Sequence, residues 1–316
     1  MATPRTIGMV ALCALMPGGI GYAQRSPAPL LDVLKVRGQV YLIAGPVSNA
    51  VVQVGADGVL VVDTMREQDA DALLGEIGKL TGAKPIRYVV NTHAHLDHVG
   101  GNAKVSSAGT QLVGGNFGGQ VQGDHAFIVA HEKVLNAVSA KTGRTSLLPF
   151  AGWPTDTFFQ SEKDLYFNGE GVELIYEPNA HTDGDVLVWF RASDVIAAGD
   201  IFDTTRMPEI DLKRGGHVNG VIEALNRIID VAISEQFTEG GTRIVPGKGR
   251  ICDEFDVVEY RDMVTIVRDR VQAMIMKGMN LERVKAAHPA LEYEPRYGTD
   301  SATAFIEAAY KNLGGR

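Results

Sequence analysis

An α/β fold is the class this sequence predicts, on three observations. Runs rich in Val, Ile and Tyr recur along the 316 residues, broken by Gly, Asp and Asn where turns belong. Between them lie segments whose apolar residues repeat at helical spacing. The composition, 45% hydrophobic and 22% charged, is that of a globular chain long enough for one large α/β domain or two small ones.

The N-terminus stands apart from the rest. Met1 to Arg5 is a short, weakly positive start, followed by the apolar segment IGMVALCALMPGGIG. Gly21 and Ala23 then offer small residues where a signal peptidase reads. Residues 1–23 are therefore expected to be a cleaved export signal, with mature Gln24 and a periplasmic or secreted destination. The apolar run is too short to span a bilayer comfortably, so no stable membrane insertion is expected after cleavage. A buried N-terminal helix is the competing reading. A lipid anchor at Cys13 is disfavoured by the bulk of Leu12. Removal of the segment leaves Cys252 alone, with no internal disulfide to form.

The elements of the body follow in order. GQVYLIAG, NAVVQVGADGVLVVDT and PIRYVVNTH read as strands, with Ala56-Asp57-Gly58 a hairpin turn inside the second. REQDADALLGEIGKL reads as a helix, because Leu73, Leu74, Ile77 and Leu80 fall at helical spacing with acids early and Lys79 late. The polar, Gly-rich stretch from 105 to 160 carries one short strand, AFIVA, and is otherwise expected to be loop or short helix facing substrate. GVELIYEPNAH reads as a strand ending in His181. DVLVWFRASDVIAAGD reads as strand, turn and strand ending in Asp200. A helix follows with Val221, Ile222, Leu225, Ile228 and Ile229 on one face, then TRIVPGKG, a short strand running into a Gly loop. A long helix over about residues 253 to 277 carries the stripe Val264, Val267, Val271, Met274 and Ile275. The whole of 24–316 is read as one domain with a C-terminal helical extension.

The chemistry concentrates in VVNTHAHLDHVGG. Of eight histidines in the chain, three fall within six positions: His93, His95 and His98, with Asp97 between the last two. Imidazole and carboxylate are zinc ligands, and a catalytic zinc keeps one position open for water. His93 and His95, two apart in an extended segment, point the same way and can chelate one ion. Asp97 and His98 begin the next turn and point elsewhere, so the spacing suggests two adjacent metal positions. Further ligands must come from other strand ends, and His181 in NAHTDGD and Asp200 in AAGD stand at such ends.

Taken together, His93, His95, Asp97 and His98 in HxHxDH, His181 in HTDGD and Asp200 in GD resemble the metallo-β-lactamase-fold hydrolase superfamily, glyoxalase II and β-lactamases included. The resemblance runs from about residue 37 to 250 with the motifs in order. It implies a four-layer αβ/βα sandwich and two zinc ions in a groove along one sheet edge, with His181 as third ligand of the first and Asp200 bridging. It also implies hydrolysis of a small-molecule carbonyl substrate by a metal-bound hydroxide, with Asp97 orienting the nucleophile and handling its proton.

One position departs from that pattern. Many members close the second site with a histidine in a PGHG-type loop, and here Pro246-Gly247-Lys248-Gly249 puts Lys248 in its place. An ammonium has three donors and no lone pair. At about 4 Å from a unit positive charge it meets roughly 4 kcal/mol of repulsion at an effective dielectric near 20, equivalent to about three pKa units. Three arrangements follow: a neutral lysine that ligates, a lysine turned away beside a water-completed two-zinc site, or an ammonium that replaces the second ion by pairing with Asp97 and Asp200. The third needs no unusual protonation state. The chain is thus expected to hold one or two zinc ions, and Lys248 joins Asp97 as a candidate catalytic residue.

The remaining histidines carry less. His217, in RGGHVNG, is either a replacement ligand or a helix N-terminal residue; His125 and His131 read as structural, and His288 has no motif around it. Asp63 is either a support for the metal site or a helix cap. The net charge of −8 is spread without acidic blocks, and no basic stripe tracks a phosphate backbone, so nucleic acid is not an expected partner. Asp200, where the best-known lactamases carry cysteine, points to esters, thioesters or lactones at least as much as to β-lactam amides. Two other classes compete: a mononuclear iron oxygenase of persulfides using His93, His181 and Asp200, and a non-catalytic zinc-binding paralogue. Substrate identity and oligomeric state are not written in the sequence.

Overall fold

The computed structural model describes residues 31–82, 84–114, 120–139, 145–238 and 240–315. The expected export signal, residues 1–23, lies outside them. In chain order the strands are β1 (Asp32–Arg37), β2 (Val40–Ala44), β3 (Asn49–Val54), β4 (Val59–Val62), β5 (Ile86–Val90), β6 (Leu112–Gly114), β7 (Gln120–Gln122), β8 (Phe127–His131) and β9 (Asp156–Phe158). The second half adds β10 (Glu162–Phe167), β11 (Glu170–Glu177), β12 (Asp185–Phe190), β13 (Val195–Ala197) and β14 (Arg243–Val245). The α-helices are α1 (Ala70–Thr81), α2 (Leu96–Val99), α3 (Asn102–Ser107), α4 (Glu132–Val138), α5 (Val218–Val231), α6 (Glu254–Met276), α7 (Leu281–Ala286), α8 (Glu294–Tyr297) and α9 (Thr299–Asn312).

Two large sheets result. The first runs β1-β2-β3-β4-β5-β8-β9, antiparallel as far as β4 and parallel from β4 onward. The second runs β10-β11-β12-β13-β14, antiparallel except for the last pair. The period-2 alternation of each strand gives its sheet two apolar faces, and each face is covered. Val40, Leu42, Val51, Leu60 and Val62 from the first sheet pack against Val172, Leu174, Val186, Val188 and Val245 from the second. The outer face of the first sheet (Ile43, Val52, Val61, Val89) is covered by Leu73 and Ile77 of α1 and Val105 of α3. The outer face of the second (Ile175, Leu187, Ile196, Ile244) is covered by α5, α6 and α9. The layers are helix, sheet, sheet, helix: the αβ/βα sandwich.

Two of the expected strand ends are corrected. β11 stops at Glu177, not at His181, because its partner β12 begins only at Asp185, which pairs with Glu177. Beyond that point the chain has no ladder to join and turns through Asn179, at φ 54°. Asp200 is likewise past the end of β13, on a single 3-10 turn, Gly199–Ile201, that opens with Gly199 at φ 52°. Both residues thereby leave the sheet and reach into the space above it. The long helix is α6, and its start is fixed by a capping box: Asp253 accepts from the backbone of Asp256, whose side chain accepts from the backbone of Asp253. Stretch 105–160 is more structured than its composition suggests, holding the β6–β7 hairpin, α4 and β9 besides the expected strand.

The candidate site lies at one edge of the sandwich, where loops from both sheets meet. Parallel strands β4 and β5 deliver Asp63 and His93 there from the first sheet. Parallel strands β13 and β14 deliver Asp200 and Lys248 from the second. His181 arrives on the loop entering β12. Ligand sites at the carboxyl ends of parallel strands are a general consequence of this wiring. No α-helix among the described residues is long and apolar enough to cross a membrane.

Candidate metal centre

Each imidazole of the cluster is aimed by a hydrogen bond on its far nitrogen. His181 donates from Nδ1 to the Glu209 carbonyl oxygen at 2.6 Å, which leaves Nε2 with the lone pair. His95 donates from Nε2 to the Asp211 carboxylate at 3.0 Å, which leaves Nδ1. His93 Nδ1 lies 3.0 Å from the Thr92 hydroxyl, and that hydroxyl donates in turn to Asp63 Oδ2 at 2.7 Å. The hydroxyl oxygen is therefore the acceptor for His93, and Nε2 again is free. Three lone pairs converge: the rings stand edge to face with centroids 4.7–4.9 Å apart. His181 Nε2 and His95 Nδ1 face each other at 2.9 Å, and buried His93 Nε2 has no hydrogen-bond partner. Asp200 Oδ2 completes the group at 3.9 Å from both His93 Nε2 and His181 Nε2.

Lone pairs do not face one another at such distances without a positive charge between them. These four donor atoms lie within 4.8 Å of one another, a spacing suited to one ion. Three nitrogens and one carboxylate oxygen are the donor chemistry of a divalent metal such as zinc. The site therefore fits the metal that its residue types suggest. Burial holds the His93 imidazole well below its usual pKa, and burial followed by neighbouring His181 lowers that of His95; both favour the neutral form that ligates.

A second group sits against the first. Asp97, His98 and Asp200 also place one ligand atom each within 4.8 Å of the others. Asp97 and His98 lie on α2, whose N-cap is His95, so one turn of helix turns them away from His93 and His95. His98 donates from Nδ1 to Asp63 Oδ2 at 2.7 Å. Its Nε2 lies 3.1 Å from Asp200 Oδ1, out of hydrogen-bond alignment. Burial works against a charged His98, but Asp200 and Asp63 outweigh it and push the imidazole up to about 10. Into this group reaches Lys248, with Nζ 3.1 Å from Asp97 Oδ2 and in close contact with Asp200 Oδ2. Burial opposes its charge, yet the two carboxylates push it up to about 12.

The loop carrying Lys248 admits little variation. Gly247 donates to the Gly199 carbonyl at 2.8 Å, and a Cβ on Gly247 would stand 2.1 Å from Asp200 Oδ1. The Asn49 side chain donates to the carbonyls of Pro246 and Gly249 at 2.9 and 3.0 Å. These contacts tie the loop after β14 to the first sheet on one side and to the Asp200 turn on the other.

Asp63 supports the site and caps no helix: its carboxylate accepts from the Thr92 backbone, the Thr92 hydroxyl and His98. His217 is the N-cap of α5, its Nδ1 accepting from the Asn219 backbone, and it takes no part in the cluster. His131 caps α4 and stacks on Tyr176 at 3.7 Å, and His125 and His288 are exposed. Three participants carried no readable signal. Asp211, Thr92 and the Glu209 carbonyl orient ligands without ligating, and only Thr92 adjoins a motif.

The cluster opens on a hollow of about 270 Å³ lined by His95, Leu96, Asp97, Leu147, Glu209, Arg214 and Lys248. Leu96 and Leu147 also wall a neighbouring hollow of about 600 Å³ that runs on past Leu148 and Pro149.

A family model described as the metallo-beta-lactamase superfamily matches residues 43–240. Metallo-beta-lactamase type 2 of Bacillus sp. (strain 170) is 23% identical over 221 residues, covering 69% of this chain and 72% of that protein. Hydroxyacylglutathione hydrolase of Polaromonas sp. (strain JS666 / ATCC BAA-500) is 26% identical over 233 residues, covering 70% and 79%. Among solved structures, the stereoselective inverting sec-alkylsulfatase from Pseudomonas sp. superposes with a TM-score of 0.65 at 15% identity. That match covers 90% of this chain, which spans half the length of the sulfatase. A metallo-beta-lactamase from Pontibacter korlensis superposes at 0.56 with 17% identity, covering 75% of this chain and 99% of that one. At these identities the structural likeness establishes the fold.

Proposed function

The chain belongs to the metallo-beta-lactamase superfamily, and from that premise we propose that it is an exported zinc-dependent hydrolase of a carbonyl substrate: an ester, thioester, lactone or β-lactam amide. The convergence of three imidazole lone pairs, each fixed by an acceptor behind it, carries this reading. His93, His95 and His181 would hold the ion, with Asp200 beside them. Bound there, zinc supplies a water of lowered pKa and polarises an oxygen at neutral pH.

The chain's own residues supply the rest. Asp97 lines the hollow, and its carboxylate is kept ionised by His98 and Lys248 against the effect of burial. It is placed to take a proton from the attacking water and return it to the leaving group. Lys248 presents its ammonium to the same space, where negative charge develops on the carbonyl oxygen. Leu96 and Leu147 give the hollow an apolar wall, and the larger hollow beyond them receives the apolar part of the substrate. The export reading rests on the apolar segment before Ala23 and is checked by the N-terminal residue of the protein recovered outside the cytoplasm.

The test is elemental analysis of the purified chain joined to a panel of chromogenic esters, thioesters, lactones and β-lactams. Zinc should be retained, at least one class should turn over, and His95→Ala should lose both metal and activity. Iron retained in preference to zinc would replace this reading with the oxygenase. Full zinc occupancy with no turnover by either the wild type or Lys248→His would make the protein a non-catalytic zinc binder.

A further inference from the structure

We infer that the protein binds one metal ion, not two, because the Lys248 ammonium occupies the second metal position as a permanent cation. The inference rests on the metal-hydrolase reading and concerns the number of ions, not their presence. Asp97, His98 and Asp200 form a compact ligand group, and the ammonium sits among them with two carboxylates as acceptors. An ion in that group would have to displace Nζ from both.

The lysine has no easy way to leave. Its side chain is only 15% exposed. Its backbone bridges to Asp203, its carbonyl accepts from the Thr204 backbone at 3.2 Å, and Asn49 clamps the residues on either side. Rotation outward would take the ammonium from buried Asp200 and half-buried Asp97 together, leaving them only the imidazoles already beside them, His98 among these at 3.1 and 3.8 Å.

Charge balance points the same way. Asp63, Asp97 and Asp200 bring three negative charges to the cluster; one divalent ion and one ammonium already match them, and a protonated His98, wedged between Asp63 and Asp200, adds a further positive charge. Asp211 and Arg214, paired at 2.9 Å, cancel each other. A second divalent ion would leave at least two positive charges uncompensated within a few ångströms, a strongly unfavourable state for a buried site. Lys248 thus does with a fixed side chain what a second ion would do: it holds Asp97 and Asp200 in place and sets a positive charge at the mouth of the site.

Zinc titration of the metal-free protein, followed by elemental analysis after desalting, reads this directly. The wild type should give a single binding event and one zinc per chain, even in excess zinc. Lys248→His, which removes the ammonium and adds an imidazole, should give close to two, and Lys248→Ala should give a second, weaker event. Two tightly held ions in the wild type would overturn the inference while leaving the hydrolase reading intact. One ion in the wild type and also in a folded Lys248→His variant would overturn it too, because the lysine would then not be what excludes the second. No ion in the wild type would sink the metal-hydrolase reading itself. The wild-type titration decides the matter even if a variant fails to fold.

Discussion

Asp211 lies 116 residues from His95 in sequence and 3.0 Å from its Nε2 in the structure. Its carboxylate is held well below the usual range, since hydrogen bonds from His95 and Arg214 outweigh the effect of burial. A group so firmly ionised is a dependable acceptor, and what it accepts fixes which His95 nitrogen faces the metal. Asp211→Ala should therefore weaken zinc binding by about 10- to 100-fold without unfolding the protein. A chelator-competition measurement with circular dichroism alongside checks this, and unchanged affinity would show that His95 is oriented by packing alone. The contrast with His217 shows what sequence carries at this scale. His93, His95, Asp97 and His98 were legible because one strand end and one helical turn bring them together locally. Asp211 was not, because its partner is chosen by the fold, and the segment EIDLKRGG has no periodicity that names a role. His217, chemically a better candidate ligand, merely caps α5.

At the scale of elements, the strands with continuous apolar runs, such as β3, β4 and β12, were legible because burial on both faces writes itself into composition. β1 and β10 were not: half their positions face solvent, and charged residues (Asp32, Lys35, Glu162, Asp164) occupy most of those positions, so neither strand carries an apolar run. The end of β11 holds a further consequence. Glu177 closes that strand opposite Asp185, and burial pushes its carboxyl from 4.5 up to about 7, with Arg227 at 3.7 Å offsetting only part. A carboxyl whose pKa is raised by folding binds its proton more tightly in the folded state. Its contribution is fully present below pH 4.5, and is lost as pH rises through about 7. Glu177→Gln removes that loss. Relative to the wild type it should gain about 3 kcal/mol at pH 8 and almost nothing at pH 4. Urea unfolding of both metal-free proteins at the two pH values measures it; an equal difference at both would assign the effect to packing instead of charge.

For the molecule as a whole, the question is whether the C-terminal helices belong to the machine or decorate it. The family-matched region ends at residue 240, before α6 begins. The packing says they belong. Val257, Val264, Val267 and Val271 of α6, with Phe305, Ile306 and Ala309 of α9, share one buried cluster with Val221, Leu225 and Ile228 of α5 and the outer face of the second sheet. The contact reaches the metal centre. Phe202, two residues past Asp200, meets the Tyr260 ring edge-on at 5.2 Å, and Tyr260 donates to the Arg206 carbonyl at 3.1 Å. The turn that presents Asp200 is thus backed by α6. Phe305→Ala should cost about 3–5 kcal/mol, the range for emptying a large buried aromatic site. A chain ended at residue 252 should fail altogether, because it would leave the apolar face of α5 and the second sheet open to water. Expression of that chain with dye-binding and zinc-binding assays tests the claim: insoluble protein, or a dye-binding state without zinc, is expected. A soluble truncation that unfolds cooperatively and keeps its zinc would mean that the outer helices are an appendage, and that the Asp200 turn is held by the two sheets alone.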